Sequence, residues 1–161
     1  MVKFSLLCLA VLALPAIVFC ADCTTRRCLR RLYNARVERA SYYTRPLSSG
    51  SSTGWWSSRR KRSFDYRLIH SGIVVEIDRA VEGQTEWLIH KGSDYGDTWD
   101  TVITDATYMS NRWTKEDERI VTCGATVNQL MRAARILSSY RLIGSNCQTA
   151  SNGIWEYLDQ C

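Results

Sequence analysis

The chain has 161 residues and a formal net charge of +5, with 21 Lys and Arg residues against 16 Asp and Glu residues. After the first twenty residues there is no long apolar stretch, which excludes a protein with several membrane-spanning helices. This length allows a small fold with a single hydrophobic core.

Residues 1–20 have the pattern of a signal peptide. Lys3 gives a positive start, an uncharged and largely apolar stretch follows, and Val18 and Cys20 suit the −3 and −1 positions of a signal-peptidase site. The apolar stretch is short for a spanning helix, and a signal anchor is the alternative. We therefore expect a soluble, secreted protein in an extracellular compartment where disulfide bonds persist.

The cysteine count implies one thiol outside any intramolecular bridge. Two of the seven cysteines lie in the signal sequence, and the five that remain cannot all pair with one another. If Cys147 is free, the other four form two bridges. We predict the pairs Cys23–Cys28 and Cys123–Cys161, because this pairing lets the parts before and after Arg62 stand alone. The alternatives are Cys28–Cys123 with Cys23–Cys161, or a bridged Cys147.

Residues 21–62, which we call the arm, carry a net charge of +9, whereas residues 63–161 carry −5. The apolar residues of the arm recur at helical spacing and predict an amphipathic helix: Leu29, Leu32, Tyr33, Val37 and Ala40. The opposite charges suggest a pro-segment that docks on the acidic domain. An anionic membrane surface is the alternative partner, and nucleic acid is not expected, since the larger domain is acidic.

A run of basic residues closes the arm and matches the site that furin-like proprotein convertases cut. It consists of Arg59, Arg60, Lys61 and Arg62, and it follows a Ser- and Gly-rich stretch over residues 47–58. Such a composition is typical of a flexible and accessible linker. We therefore predict a convertase as a partner and a boundary between the arm and a domain over residues 63–161. The alternative is a solvated basic surface.

The domain is predicted to begin with a β-hairpin. Residues 66–77 and 86–90 have strand composition, and the turn signal Glu82-Gly83-Gln84 lies between them. Residues 101–104 predict another short strand, and residues 110–118 a polar connection. The hairpin would carry His70 on one strand and His90 on the other.

Two helices are predicted to close the chain. Thr126 and Gln129 have the spacing of a capping box, and so do Ser145 and Gln148. The second box puts Cys147 at about the second helical position. There the free backbone N–H groups and the helix dipole favour a thiolate and could stabilise an oxyanion.

These three residues predict a cysteine–histidine–histidine site. A thiol nucleophile needs a base, and the base needs a polar group that orients it. Residues 63–161 contain just two histidines, His70 and His90, and we expect the Cys147 sulfur within about 4 Å of a His70 ring nitrogen. The alternatives are histidines with a structural role or a zinc site from the same three residues, for which the usual ligand spacing is missing.

The motif segments resemble a known superfamily. His70-x-Gly-Ile followed by Leu88-Ile89-His90-x-Gly is similar to the paired strand motifs of NlpC-type papain-like hydrolases. The nucleophile follows the histidines, as in the permuted branch typified by lecithin:retinol acyltransferase, and Tyr140-x-Leu142-x-x-x-Asn146-Cys147 resembles its nucleophile segment. The resemblance covers roughly residues 64–161.

The resemblance implies a papain-like α+β fold in which a small antiparallel sheet packs against helices. It makes Cys147 the nucleophile, His70 the base and His90 the residue that holds the His70 ring. The implied activity is that of a thiol hydrolase or acyltransferase on an ester or amide substrate, with no cofactor and no metal. The alternative is a non-catalytic secreted binding, defence or toxin-like protein on the same fold.

Overall fold

The computed structural model describes residues 23–47, 69–92, 100–134 and 139–161. In these ranges the chain folds as an α+β structure with a five-stranded antiparallel sheet in the order β4-β3-β2-β1-β5. The helices are α1 (Arg26–Asn34), α2 (Val127–Ala133) and α3 (Cys147–Asp159), with a short 3-10 turn at Ala106–Tyr108. The strands are β1 (Val37–Pro46), β2 (Ile69–Val81), β3 (Gln84–Lys91), β4 (Thr101–Asp105) and β5 (Thr114–Ile120).

The predicted hairpin is confirmed by β2 and β3, and the predicted short strand by β4. The turn between β2 and β3 has only two residues, Glu82 and Gly83, with φ angles of 51° and 84°. Two successive positive φ angles match the right-handed twist of the flanking strands, and glycine adopts the second of them without strain. The β2–β3 register shifts between Val81 and Glu76, and the shifted register places His90 opposite Gly72.

The predicted arm helix is wrong beyond Asn34. α1 ends there, and Val37 and Ala40, which were assigned to its apolar stripe, belong to β1. β1 pairs with β2 along one edge and with β5 along the other, so it is an inner strand of the sheet. Because hydrogen bonds on both edges satisfy its backbone, tertiary pairing outweighs the local helical spacing.

The sheet therefore combines strands from both sides of the predicted domain boundary at residue 62. The arm supplies α1 and an inner strand to the same core as the later strands, so these residues do not form a separate pro-segment laid over the site. Removing β1 would leave the edges of β2 and β5 without their ladder partners. The convertase run and the predicted signal peptide lie outside the described residues, and cleavage stays a prediction.

The segment predicted as a polar connection over residues 110–118 contains the start of β5. Six of the seven side chains of β5 are exposed, and most of them are charged. The strand lies at the edge of the sheet beside β1. Charged side chains at an edge discourage pairing with another chain. β5 therefore lacks the alternating apolar residues by which a strand is predicted from sequence.

One face of the sheet carries the hydrophobic core. The alternate residues Ile73, Val75 and Ile77 of β2 and their neighbours Trp87 and Ile89 of β3 are buried there. All three helices pack on this face, which we call the core face, through a set of buried side chains: Cys28, Leu32, Val127, Leu130, Met131, Ala150, Ile154 and Leu158. The other face carries both histidines.

Both predicted disulfides are confirmed, and Cys147 is the free cysteine of the described residues. Cys23–Cys28 closes a short loop at the start of α1, and Cys123–Cys161 joins the segment before α2 to the end of the chain. Neither bridge links the arm to the later residues. Within the described ranges, no helix is long and apolar enough to cross a membrane.

Candidate active site

The two histidines meet on the face of the sheet opposite the core face. His90 pairs directly with Gly72, and His70 precedes Gly72 by two residues, so both side chains point to the same side. His70 Nε2 lies 3.0 Å from His90 Nδ1, which is hydrogen-bond distance. The predicted pairing of the two histidines is therefore present in the fold.

Gly72 makes this close approach possible. A Cβ atom at this position would lie 3.2 Å from the Cβ of His90 and 2.8 Å from Cδ1 of Leu88. The first distance is tighter than ordinary van der Waals contact, and the second would force a neighbour to move. Gly72 thus leaves room for the His90 ring beside His70, a role that the sequence motif alone did not explain.

Two residues that sequence reasoning missed also join this site. The Trp113 ring lies 5.4 Å from the His70 ring and 6.3 Å from the His90 ring, measured between centroids. The Arg45 guanidinium lies 5.0 Å from the Trp113 centroid, and Arg45 is the direct partner of His70 across β1 and β2. No motif marks either residue, because the pairing of β1 with β2 brings Arg45 to the site.

Both imidazoles are neutral at pH 7. Burial, together with the positive charge of Arg45, lowers the pKa of His70 to about 4. Burial first, and then the charges of His70 and Arg45, lower the pKa of His90 to about 3. The pKa of His90 is lower than that of His70 because burial, the larger cause, is joined by the charges of both His70 and Arg45.

Neutrality restricts how the two rings can share a proton. Each neutral ring has one donor nitrogen and one acceptor nitrogen. If His70 Nε2 donates to His90 Nδ1, the Nδ1 atom of His70 keeps its lone pair and can accept a proton. The opposite tautomer leaves His70 without a free acceptor. A base at His70 therefore requires that His90 accept the hydrogen bond.

Cys147 begins α3 at its first helical position, one residue earlier than the predicted cap implied. The N-cap is Asn146 rather than Ser145, and its side chain accepts the backbone N–H of Thr149 at 3.0 Å. Thr149 Oγ1 in turn accepts the Asn146 N–H at 2.8 Å. These bonds leave the N–H groups of Cys147 and Gln148 as first-turn donors that the helix does not use.

The Cys147 thiol lies at the start of β2. Its Sγ donates to the carbonyl oxygen of Ile69 at 3.8 Å, and Ile69 directly precedes His70. The body of α3 packs on the core face, whereas the His70 ring points to the other face. The Cys147 sulfur and the His70 ring can therefore meet only at the end of β2, beyond its first residue. The expected separation of about 4 Å between the sulfur and a His70 ring nitrogen stays a prediction.

Hydrogen bonds within a tight turn over residues 141–146 hold the segment before Cys147 in place. Arg141 N donates to Ser145 O at 2.7 Å, Asn146 Nδ2 donates to Leu142 O at 2.9 Å, and Gly144 has a φ of 91°. The tip of this turn exposes Leu142 and Ile143, whose relative exposures are 70% and 88%. Apolar surface thus lies close in sequence to the thiol.

The zinc alternative has no support in the part of the chain that the structure describes, since no group of three or more His, Cys, Asp or Glu side chains there could hold a metal ion.

Two described cavities lie away from the thiol. One is lined by α1 and the end of β2, and the other by β1, β2, β3 and β5.

Comparisons of the chain with family models, with curated proteins and with solved structures find no match. The resemblance to the permuted papain-like hydrolases therefore depends on the motif residues themselves.

Proposed function

We propose that this protein is a secreted, cysteine-dependent hydrolase or acyltransferase of papain-like fold that acts on an ester or amide. The observation that carries the proposal is a free thiol at the first position of α3, next to the strand start that bears a neutral, hydrogen-bonded histidine pair. The two disulfides support an oxidising compartment, as expected after secretion.

The reaction begins when His70 Nδ1 takes the proton of Cys147 and the sulfur attacks the substrate carbonyl carbon. His90 accepts the hydrogen bond from His70 Nε2 and holds the ring in the tautomer that this transfer needs. The tetrahedral intermediate expels the alcohol or amine, which takes the proton from His70, and a thioester remains. Water or a second acceptor then attacks the thioester and gives its proton to His70. The C–S bond breaks, the acid or acylated acceptor leaves, and the Cys147 sulfur takes the proton back from His70.

The first turn of α3 supplies the oxyanion site in this proposal. The N–H groups of Cys147 and Gln148 point out of the helix start, where they would stabilise the negative charge of the intermediate. The exposed Leu142 and Ile143 would contact the apolar part of a substrate that approaches the thiol. The chemistry of a thiol nucleophile and an imidazole base needs no metal or cofactor.

The decisive experiment is native labelling with iodoacetamide over a pH series, followed by peptide mass mapping. We expect label at Cys147, and we expect His70→Asn to slow labelling at neutral pH more than a surface change such as Glu156→Gln does, since Glu156 is exposed and lies nine residues beyond Cys147 on α3. A stable thioester mass with an activated ester, absent from Cys147→Ser, would support acyl transfer. Labelling unaffected by His70→Asn would contradict a role of His70 as the base.

The second candidate is a binding protein that uses the fold without turnover. The observations that favour it are the low exposure of Cys147, which is 6%, and the position of the two described cavities away from the thiol. A chain that binds a ligand but forms no thioester with any activated ester, even though native labelling reaches Cys147, would decide for this candidate.

A further inference from the structure

α1 presents a dense row of arginines to solvent. Arg26, Arg27, Arg30 and Arg31 are exposed, whereas the helix buries Cys28 and Leu32 on its opposite side. At 3.6 residues per turn, the four arginines fall within an arc of about 140°. α1 has no acidic residue in its first turn, and Arg26, Arg27 and Arg30 make no ion pair with another described residue.

A cavity of about 700 Å³ continues this surface at the end of α1. Its lining includes Arg31, Arg36 and Arg79, with one carboxylate, that of Asp78. The carboxylate is already engaged, because its Oδ1 accepts the backbone N–H of Arg36 at 3.2 Å and its Oδ2 lies 4.0 Å from Arg79 Nε. Glu82 makes one further ion pair, with Arg31 at 3.7 Å.

We infer that the exposed arginines of α1, together with this cavity, form a binding site for a sulfated glycan. We call these residues the arginine face: Arg26, Arg27, Arg30, Arg31, Arg36 and Arg79. The six guanidinium groups exceed the two nearby carboxylates, which leaves a local excess of positive charge. Planar guanidinium forks bind tetrahedral oxyanions through paired hydrogen bonds, and a row one helix turn apart can engage successive sulfate groups.

Other polyanions fit this surface less well. A helix that lies in a membrane interface inserts a broad apolar side. In α1, Cys28 and Leu32 are buried in the protein core, Tyr33 packs against that core, and Leu29 is half-buried, so α1 keeps little apolar surface for a membrane. Single-stranded nucleic acid is held by stacking on aromatic rings, and none of the exposed large apolar or aromatic side chains lies on α1. The two disulfides favour an extracellular compartment over the cytosol and the nucleus, where nucleic acids are held.

The test is a calorimetric titration of the full, disulfide-intact chain with a heparin-derived hexasaccharide at several NaCl concentrations. The variant Arg26→Gln with Arg30→Gln should bind roughly tenfold more weakly. Its slope of log K against log salt should fall by about two, because two ionic contacts are lost. Glutamine has a helix propensity close to that of arginine, so α1 should stay folded.

The matched control is Arg132→Gln with Arg141→Gln, which removes the same charge from exposed positions outside the arginine face. We expect this control to bind nearly as tightly as the unaltered chain, and a desulfated hexasaccharide not to bind. An equal loss of affinity in both variants would mean that only net charge attracts the glycan, and this would overturn the proposal. Tighter binding to phosphatidylserine vesicles or to a DNA duplex than to the hexasaccharide would overturn it as well.

Discussion

Acidification should destabilise this protein through the histidine pair. The folded rings titrate with pKa values of about 4 for His70 and about 3 for His90, whereas an unfolded histidine titrates near 6.5. Below about pH 6.5 the unfolded state therefore binds more protons than the folded state. The free energy of unfolding falls as the pH falls through this range, and it levels off near the folded pKa values.

The size of the effect follows from this difference in proton binding. Between pH 7 and pH 5 an unfolded ring gains most of a proton and a folded ring gains almost none, which lowers the free energy of unfolding by about 2 kcal/mol for each ring. The two rings interact, and His90 keeps some exposure, so the loss for the pair is about 2 to 4 kcal/mol.

Urea unfolding at pH 7, 6 and 5, with both disulfides intact, measures this loss. The control is His70→Gln with His90→Gln, which keeps polar side chains able to hydrogen-bond but removes both titrating rings. We expect the unaltered chain to lose about 2 to 4 kcal/mol and the double variant to lose less than about 1 kcal/mol. Equal losses in the two proteins would refute a neutral, buried pair.

Three further predictions test the surroundings of the pair and the place of the arm. Arg45→Gln should raise the pKa of both histidines, while burial keeps them below 6.5, and an NMR titration of the ring protons would show no change if Arg45 does not act on them. Gly72→Ala should destabilise the fold by about 1 to 3 kcal/mol, because the new Cβ crowds the β3 side chains opposite it, and an unchanged urea midpoint would contradict that crowding. After convertase treatment at Arg62, the two fragments should co-elute in native gel filtration, since β1 stays paired in the sheet. They should separate in denaturing buffer without reductant, since neither disulfide joins them. Separate elution under native conditions would show that β1 is not held by its neighbours.

Local signals in the sequence determined several parts of this fold. The turn signal at Glu82 and Gly83 predicted the β2–β3 hairpin. Such a turn is set by the residue types within it and by the strands on either side, all of which are close together in the sequence. The capping pattern at Thr126 predicted the start of α2 for the same reason. The odd number of cysteines implied one thiol outside any intramolecular bridge, and the structure identifies it as Cys147. With Cys147 taken as free, the pairing of the other four followed from keeping each bridge within one part of the chain.

The tertiary structure alone decided the role of the arm. The spacing of Val37 and Ala40 fits an α-helix, and a regular strand would put the two side chains on opposite faces. Both are buried because the β1–β2 register shifts between Val37 and Arg39. What selects the strand is pairing with β2 on one side and with β5 on the other. That choice puts Arg45 beside His70, where its charge adds to the effect of burial in lowering the pKa of both histidines. Trp113 likewise reaches the rings from a distant segment. Contacts made through strand pairing produce no recurring pattern in the sequence, because they depend on hydrogen bonds between segments far apart along the chain.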